Sequence, residues 1–426
     1  MAKAVVYIKS EHRIERGSVD PDALRIVERL RENGHEAYIV GGAVRDLLLG
    51  RVPKDFDIVT DAQPSRIKRI FRSARVIGRR FRLVHVYAGP KIFEVSTFRS
   101  IANGTVGNEF GTIDEDAHRR DFSLNALYFD PYDSTLVDYV GGFKDIAAKR
   151  IEPVIPLKTI FKEDPVRMIR CIKYASTAGF RIPFKLRWAL KRDSALLGDA
   201  SPSRLTEEFI KILGSGSSAA ILKGLVRYGL LRHILPEAAR LLDSNPAYAA
   251  AFPAALAALD AHAKDPGRER SLSLLLAHYL RPFLESQPER FVDTPEAYRE
   301  AVHEARLFLF PLNPPRVELE AAVIVVFKKR GISPTQRPPR RYAGGRGAAP
   351  RELSPHAQAG HGAGGRRTEQ PRKPAEAQPV ASDRSNGPAR PCGEDDGQGE
   401  SPSAKRRRRR KRRNSQGGPG SRPPLA

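Results

Sequence analysis

Between residues 34 and 145, short apolar runs alternate with stretches whose apolar positions recur every three or four residues, which predicts mixed α and β structure. Ala37 to Val40 reads as a short buried strand, Gly41-Gly42 as a tight turn, and Ala43 to Leu49 as a helix stopped by Gly50. Further strands are expected over Asp55 to Val59, Leu83 to Tyr87 and Lys91 to Phe98. From about residue 160 to 330 the three-and-four spacing takes over, as in Val166, Ile169, Cys171, Ile172 and Ala175, then Leu205, Phe209, Ile210 and Leu213. This half is expected to be helical, punctuated by Gly179, Gly198, Gly214, Gly229 and Pro236, with more helix over Leu272 to Leu284 and Leu319 to Phe327.

The pattern then stops. Of the 96 residues from 331 to 426, 29 are Gly or Pro, and only Ile332, Leu353, Val380 and Leu425 represent the Ile, Leu, Val and Phe class. Such a segment buries too little apolar surface to offset its chain entropy, so a disordered tail is expected. The resulting layout is α+β: an N-terminal arm over 1–20, an α/β head over 21–150, an all-α neck over 151–215, a helical body over 216–330, and the tail over 331–426.

Charge sharpens this picture. The 426 residues carry 73 Lys and Arg against 49 Asp and Glu, a net +24, which points to a polyanionic partner, nucleic acid before an anionic membrane surface. The tail holds 21 of the cations against 8 acids, including a basic block from Lys405 to Arg413. As a flexible polycation it is expected to add sequence-independent, salt-sensitive RNA affinity. Cys171 and Cys392 lie far apart, which excludes a disulfide scaffold and a cysteine-zinc site. The start, MAKAVVYIKSEHRIER, lacks the apolar run of a secretion signal, and no stretch of 18 apolar residues occurs, so a soluble protein with no membrane partner is expected.

Candidate chemistry collects in the head. A strand entering a helix through Gly41 and Gly42 brings backbone N–H groups close to a phosphate, with Arg45 on the first turn as a charge-assisted donor. Asp55 and Asp57, two apart on one expected strand, would project to the same side while Phe56 and Ile58 face the core, a spacing suited to divalent ions. Glu94 and Asp121 are the candidates for a further carboxylate. Arg120 is placed to meet a nucleotide's phosphate or sugar, and Asn125, four residues beyond Asp121, is expected on the same helix face. Asp164 before Pro165 makes a good helix N-cap, with Glu163 and Arg167 at ion-pair spacing. Arg79, Arg80 and Arg82 form a basic turn beside the expected strand that holds His85, and Lys211, Lys223, Arg227 and Arg232 mark exposed faces of the helical half.

Four motifs in order give a resemblance. IVGGAVRDLLLGRVPKDFDIVT at 39–60, EVSTFR at 94–99, RRDFSLNAL at 119–127 and EDPVRMIR at 163–170 resemble the class II nucleotidyltransferase superfamily, which is related in its catalytic fold to DNA polymerase beta and contains bacterial poly(A) polymerases and CCA-adding tRNA nucleotidyltransferases. The resemblance implies metal binding and catalysis by Asp55, Asp57 and Asp121, with Glu94 as support. It implies nucleotide binding by Gly41, Gly42, Arg45, Arg120 and Arg170, and base selection by Glu163, Asp164 and Arg167. VIGRRFRLVHV at 76–86 is similar to the marker stretch of bacterial poly(A) polymerases, so poly(A) addition to RNA 3′ ends is expected, with addition of CCA, or of its A alone, to tRNA as the alternative and a non-catalytic RNA-binding adaptor as a remote one. Arg79, Arg80, Arg82, Lys211 and Lys223 would touch RNA. Two Mg²⁺ ions, or Mn²⁺ in their place, ATP as substrate, and a monomeric cytoplasmic bacterial protein without an obligate protein partner complete the expectation. Only about ten residues, Ser100 to Glu109, separate EVSTFR from Phe110, shorter than the mobile loop expected there in poly(A) polymerases.

Overall fold

Strands form where the short apolar runs lie, and they join in one mixed sheet. The computed structural model describes residues 3–78, 83–102, 104, 109–287 and 292–332. The strands are β1 (Val5–Ile8), β2 (Ala37–Val40), β3 (Asp57–Thr60), β4 (Ala74–Ile77), β5 (Leu83–Ala88), β6 (Lys91–Thr97), β7 (Leu127–Asp130) and β8 (Thr135–Asp138). Their order is β1-β8-β7-β2-β3-β6-β5-β4. The β3–β6 pair is parallel and the other neighbours are antiparallel. Residues 5–8, part of the expected N-terminal arm, are thus an edge strand of the head sheet.

Alternation along the central strands sets two faces. Ile39, Ile58, Val95 and Phe129 join the main core, against which the helix Pro21–Glu32 packs Ala23, Ile26, Val27 and Leu30. Val40, Val59 and Tyr128 point the other way and meet Phe98 and Ala117 in a smaller cluster. Asp57, two residues before Val59, lies on this second face.

Two local expectations change. The strand expected from Asp55 begins at Asp57, because its neighbour β2 ends at Val40, the residue paired with Asp57, and Gly41 then turns the chain away at φ +69°. Asp55 therefore has no ladder partner on that side and lies in the lead-in. Residues 119–125 are not one helix: the helix Ile113–His118 ends, Phe122 bridges to Pro153, and Ser123–Asn125 form a short 3-10 turn. Every residue from Phe122 to Phe129 is buried, so the stretch has no exposed polar face of the kind a surface helix presents.

From Ile160 onward the described chain is helical. The helix Val166–Ala178 begins one residue beyond Pro165, and Asp164 Oδ1 accepts the Val166 N–H at 3.2 Å, as a cap does. Its Tyr174 meets Phe122 of the head edge-on. The later helices enclose an aromatic core in which Phe283 and Phe308 stack at 4.2 Å. Among the described residues, no helix is long and apolar enough to cross a membrane. Apart from Gly331 and Ile332, the expected tail, with Cys392 and the basic block, lies outside the described residues, as do Arg79, Arg80 and Arg82.

Candidate active site

Where β2 meets the helix Gly42–Leu48, the chain borders a cleft of about 860 Å³. Gly41 holds φ +69° and ψ −128°, open to glycine alone at low strain. A Cβ there would stand 3.7 Å from Asp57 Oδ2 and 3.8 Å from Arg120 Nη1, so the glycine brings bare backbone between a carboxylate and a guanidinium.

Asp57 opens to the cleft from the start of β3, with Asp55 beside it. In the parallel register Ile58 pairs with Val95, which sets Asp57 and Glu94 side by side one step earlier on the same face. The surrounding protein withdraws water from Asp57, and Glu94 and then Asp55 add repulsion against the opposing pull of Arg120. The net effect pushes its pKa up to about 6. Glu94 itself is exposed, 3.8 Å from His85 Nε2 across the β5–β6 pair, and does not line the cleft.

A cationic wall faces these acids. Arg120 Nη2 donates to Asp116 Oδ2 at 2.9 Å, its Nε to the Tyr128 hydroxyl at 3.1 Å and its Nη1 to the Asn125 carbonyl at 3.1 Å. The Tyr128 hydroxyl donates in turn to Asp116 at 2.8 Å. Burial works against the Asp116 carboxylate, but Arg120 and Tyr128 hold it below the usual range. Next to it, burial and the nearby Arg99 push Arg119 down to about 10. Among the residues lining the cleft, nine are Lys or Arg and six Asp or Glu, and this surplus suits a ligand with several negative charges.

A second chain of contacts runs from the head into the helical region. Arg45 Nη1 donates to Asn125 Oδ1 at 2.9 Å, and its guanidinium lies 5.3 Å from the Tyr174 ring centre. Asn125 Nδ2 donates to Asp121 Oδ1 at 3.2 Å, which also accepts the Phe122 N–H at 2.8 Å. Asp121 Oδ2 lies 3.8 Å from Arg170, whose Nε donates to Glu208 at 2.9 Å. Lys173 closes on the other Glu208 oxygen at 2.5 Å. Glu208 is 2% exposed; burial alone pushes its carboxyl up, and Lys173 and Arg170 overturn that and hold it low.

In EDPVRMIR, Asp164 and Arg167 are buried at the cleft wall. Asp164 Oδ2 accepts from Arg204 at 2.6 Å, while Arg167 Nη1 donates to the Ile160 carbonyl at 3.1 Å and to Glu163 at 3.4 Å. Glu163 thus braces Arg167 from outside the cleft lining.

Gly41, Gly42, Arg45, Asp55, Asp57, Arg120, Asp121, Asn125, Asp164, Arg167, Arg170 and Lys211 are thereby brought to one cleft. Lys223 is exposed on the helix Ser218–Arg227, away from it. Sequence reasoning missed Arg99, Asp116, Lys173, Tyr174, Arg204 and Glu208. Glu208 had a signal: a carboxylate on the apolar face that carries Leu205, Phe209 and Ile212.

Among the described residues no group of three or more His, Cys, Asp or Glu is placed to hold a metal ion. Asp55, Asp57 and Asp121 line the same cleft, with Asp121 Oδ1 taken up by the Phe122 N–H and Asn125 and its Oδ2 facing Arg170. The Asp55 and Asp57 pair still fits a divalent cation. Mg²⁺ is commonly held by one or two carboxylates with water and substrate phosphate completing its shell, and burial first, then repulsion from Glu94 and Asp55, disfavours the Asp57 anion in a way that a bound cation relieves.

A mixed sheet that presents paired aspartates beside a glycine turn and an arginine wall defines a nucleotidyltransferase head. Residues 37–152 match the model of the Poly A polymerase head domain, and residues 179–242 that of the probable RNA and SrmB-binding site of polymerase A. The chain is 40% identical over 259 residues to poly(A) polymerase I of Escherichia coli O6:H1, covering 57% of this chain and 56% of that one. It is 35% identical over 215 residues to the CCA-adding enzyme of Geobacillus stearothermophilus, covering 49% and 53%. The crystal structure of the Bacillus stearothermophilus CCA-adding enzyme in complex with CTP matches with a TM-score of 0.50 at 27% identity, over 74% of this chain and 85% of that one. The chain belongs to the class II nucleotidyltransferase superfamily, which includes both poly(A) polymerases and CCA-adding enzymes, and its head has the architecture of a catalytic domain. The match spans just over half the length of the curated relatives.

Proposed function

We propose that this protein is a template-independent nucleotidyltransferase that adds AMP from ATP to RNA 3′ ends. The observation that carries the reading is the Asp55–Asp57 pair set against the Gly41 turn and the arginine wall in one cleft. The acceptor 3′-hydroxyl oxygen forms a bond to the α-phosphorus, the bond from that phosphorus to the pyrophosphate oxygen breaks, and the hydroxyl proton leaves to water. Asp55 and Asp57 would hold two Mg²⁺ ions, which when bound supply charge neutralisation and a lowered pKa for the acceptor hydroxyl. Gly41 and Gly42 admit the triphosphate to the backbone, Arg45 and Arg120 hold its oxygens, and Arg99 and Arg119 add positive potential. Asp164 and Arg167, braced by Arg204 and Glu163, present an acceptor and a donor to the base edge. Asp121, Asn125 and Arg170 position Arg45 rather than hold metal.

Two acceptors fit this chemistry. Poly(A) addition is supported by the higher identity, 40% to poly(A) polymerase I, and by the composition of the basic tail. CCA addition to tRNA is supported by the likeness in structure to a CCA-adding enzyme in complex with CTP, over 85% of that chain, and the broader support lies there. Incubation with ATP or CTP, on tRNA lacking its CCA end and on an unstructured RNA, separates the two. CTP addition to the tRNA selects CCA addition, and ATP-only extension of either RNA selects poly(A) addition. Incorporation that survives Asp55→Ala with Asp57→Ala would sink the site assignment.

A further inference from the structure

The helix Phe184–Arg192 turns Leu186, Ala189 and Leu190 into the core and leaves two large rings outside. Phe184 is 73% exposed, and Trp188, the one tryptophan of the chain, is 57% exposed. They stand four residues apart, on one helix face. Residues 181–192 hold five Lys and Arg and no acid. Arg187 lies 5.8 Å from the Phe184 ring centre and Arg192 4.7 Å from that of Trp188. Arg192 is paired with Asp193 at 2.5 Å, and Lys185 acts electrostatically on Glu152. Two acids against five cations leave the face positive. Among the described residues, no ion pair engages Arg181, Lys185, Arg187 or Lys191.

The geometry points to a stacking platform for single-stranded RNA, on which two bases lie against Phe184 and Trp188 while Arg181, Lys185, Arg187 and Lys191 meet the phosphates. This rests on the reading that the chain acts on RNA, and adds how a strand is held outside the catalytic cleft, within the stretch that matches the probable RNA-binding model. Rings four helical residues apart are separated by about 6 Å along the axis, longer than the 3.4 Å step of a duplex strand, so they engage bases that are unstacked from each other. A membrane surface fits less well. An interfacial helix sinks a broad apolar face, and here that face is spent on the core.

Because Trp188 is the sole tryptophan, its fluorescence reports on the platform directly in the full chain. Titration with a single-stranded oligoribonucleotide of about twelve residues, at salt high enough to mute purely ionic binding, should quench it saturably. Trp188→Ala and Phe184→Ala should each raise the Kd, read by anisotropy of labelled RNA, by about tenfold, and Trp188→Phe should restore most of it. Incorporation at saturating RNA should be unchanged in all three. If RNA binds with the same Kd in the variants and leaves Trp188 emission unaltered, the platform is refuted while the RNA reading stands. If the unaltered protein neither binds RNA nor incorporates nucleotide, both fail. Equal quenching by duplex RNA, or quenching by phosphatidylserine vesicles but not by the single strand, also overturns the proposal.

Discussion

Asp121 of the head lies 3.8 Å from Arg170 of the first long helix beyond it, so a carboxylate lining the cleft also ties the two regions together. Its other oxygen takes the Phe122 N–H and the Asn125 amide. Asp121→Ala should therefore leave divalent-ion affinity nearly intact while Asp57→Ala abolishes it, as Mn²⁺ titration would show. It should also cost about 1–3 kcal/mol in urea unfolding, because buried donors lose their acceptor.

Asp57 predicts a pH signature. Its pKa of about 6 in the native state exceeds the ordinary 3.8, so between these values the native state binds the proton more tightly than the unfolded chain. Stability contributed by this group is full below pH 3.8, falls as pH rises, and is gone above about 6. In EDTA, Asp57→Asn should thus melt higher than the parent at pH 7 to 8 and match it near pH 4, with incorporation lost throughout. A parent as stable as the variant at pH 8 would remove the argument that burial and repulsion disfavour the Asp57 anion.

Glu208 is the acid between Arg170 and Lys173. Glu208→Ala leaves a largely buried Lys173 without its carboxylate and should cost about 3 kcal/mol, at the lower end for a broken buried pair since Arg170 keeps some access to water. Chemical denaturation reads the loss. Lys211, exposed on the same helix, should tolerate Ala within about 0.5 kcal/mol.

Gly41→Ala tests the turn. The added methyl finds ordinary contact distances, so the penalty comes from φ +69° with ψ −128° rather than from a clash. A cost of about 1–3 kcal/mol is expected. The KM for ATP should rise more than that for RNA, since the turn faces the Asp57 and Arg120 side of the cleft.

Much of this was legible beforehand. The strand–Gly–Gly–helix unit stands within a residue of its expected place, since local apolar runs and glycine stereochemistry suffice to define it. The 3.6-residue spacing marked the helical half, including 272–285 and 316–329. Misread were the points that depend on a neighbour. Asp55 falls outside β3 because β2 ends opposite Asp57, and residues 119–125 leave the helix because Phe122 is drawn to Pro153. Asp116 and Arg204 reach the cleft from segments with no motif of their own, and Arg99 closes the EVSTFR motif without having been singled out in it.

By itself the sequence determined the order of elements, the excess of positive charge, and the residue types that gather at the cleft, because helix and strand periods, glycine freedom and net charge are local or additive properties. What each carboxylate does depends on the neighbours that folding brings to it. Asp55, Asp57, Asp121 and Glu208 look alike as letters; Asp57 meets Glu94 and Asp55 and is poised for a cation, while Asp121 and Glu208 meet Arg170 and are neutralised. A charge takes its role from the sign and distance of its neighbours and from how much water remains around it, and those are set by folding.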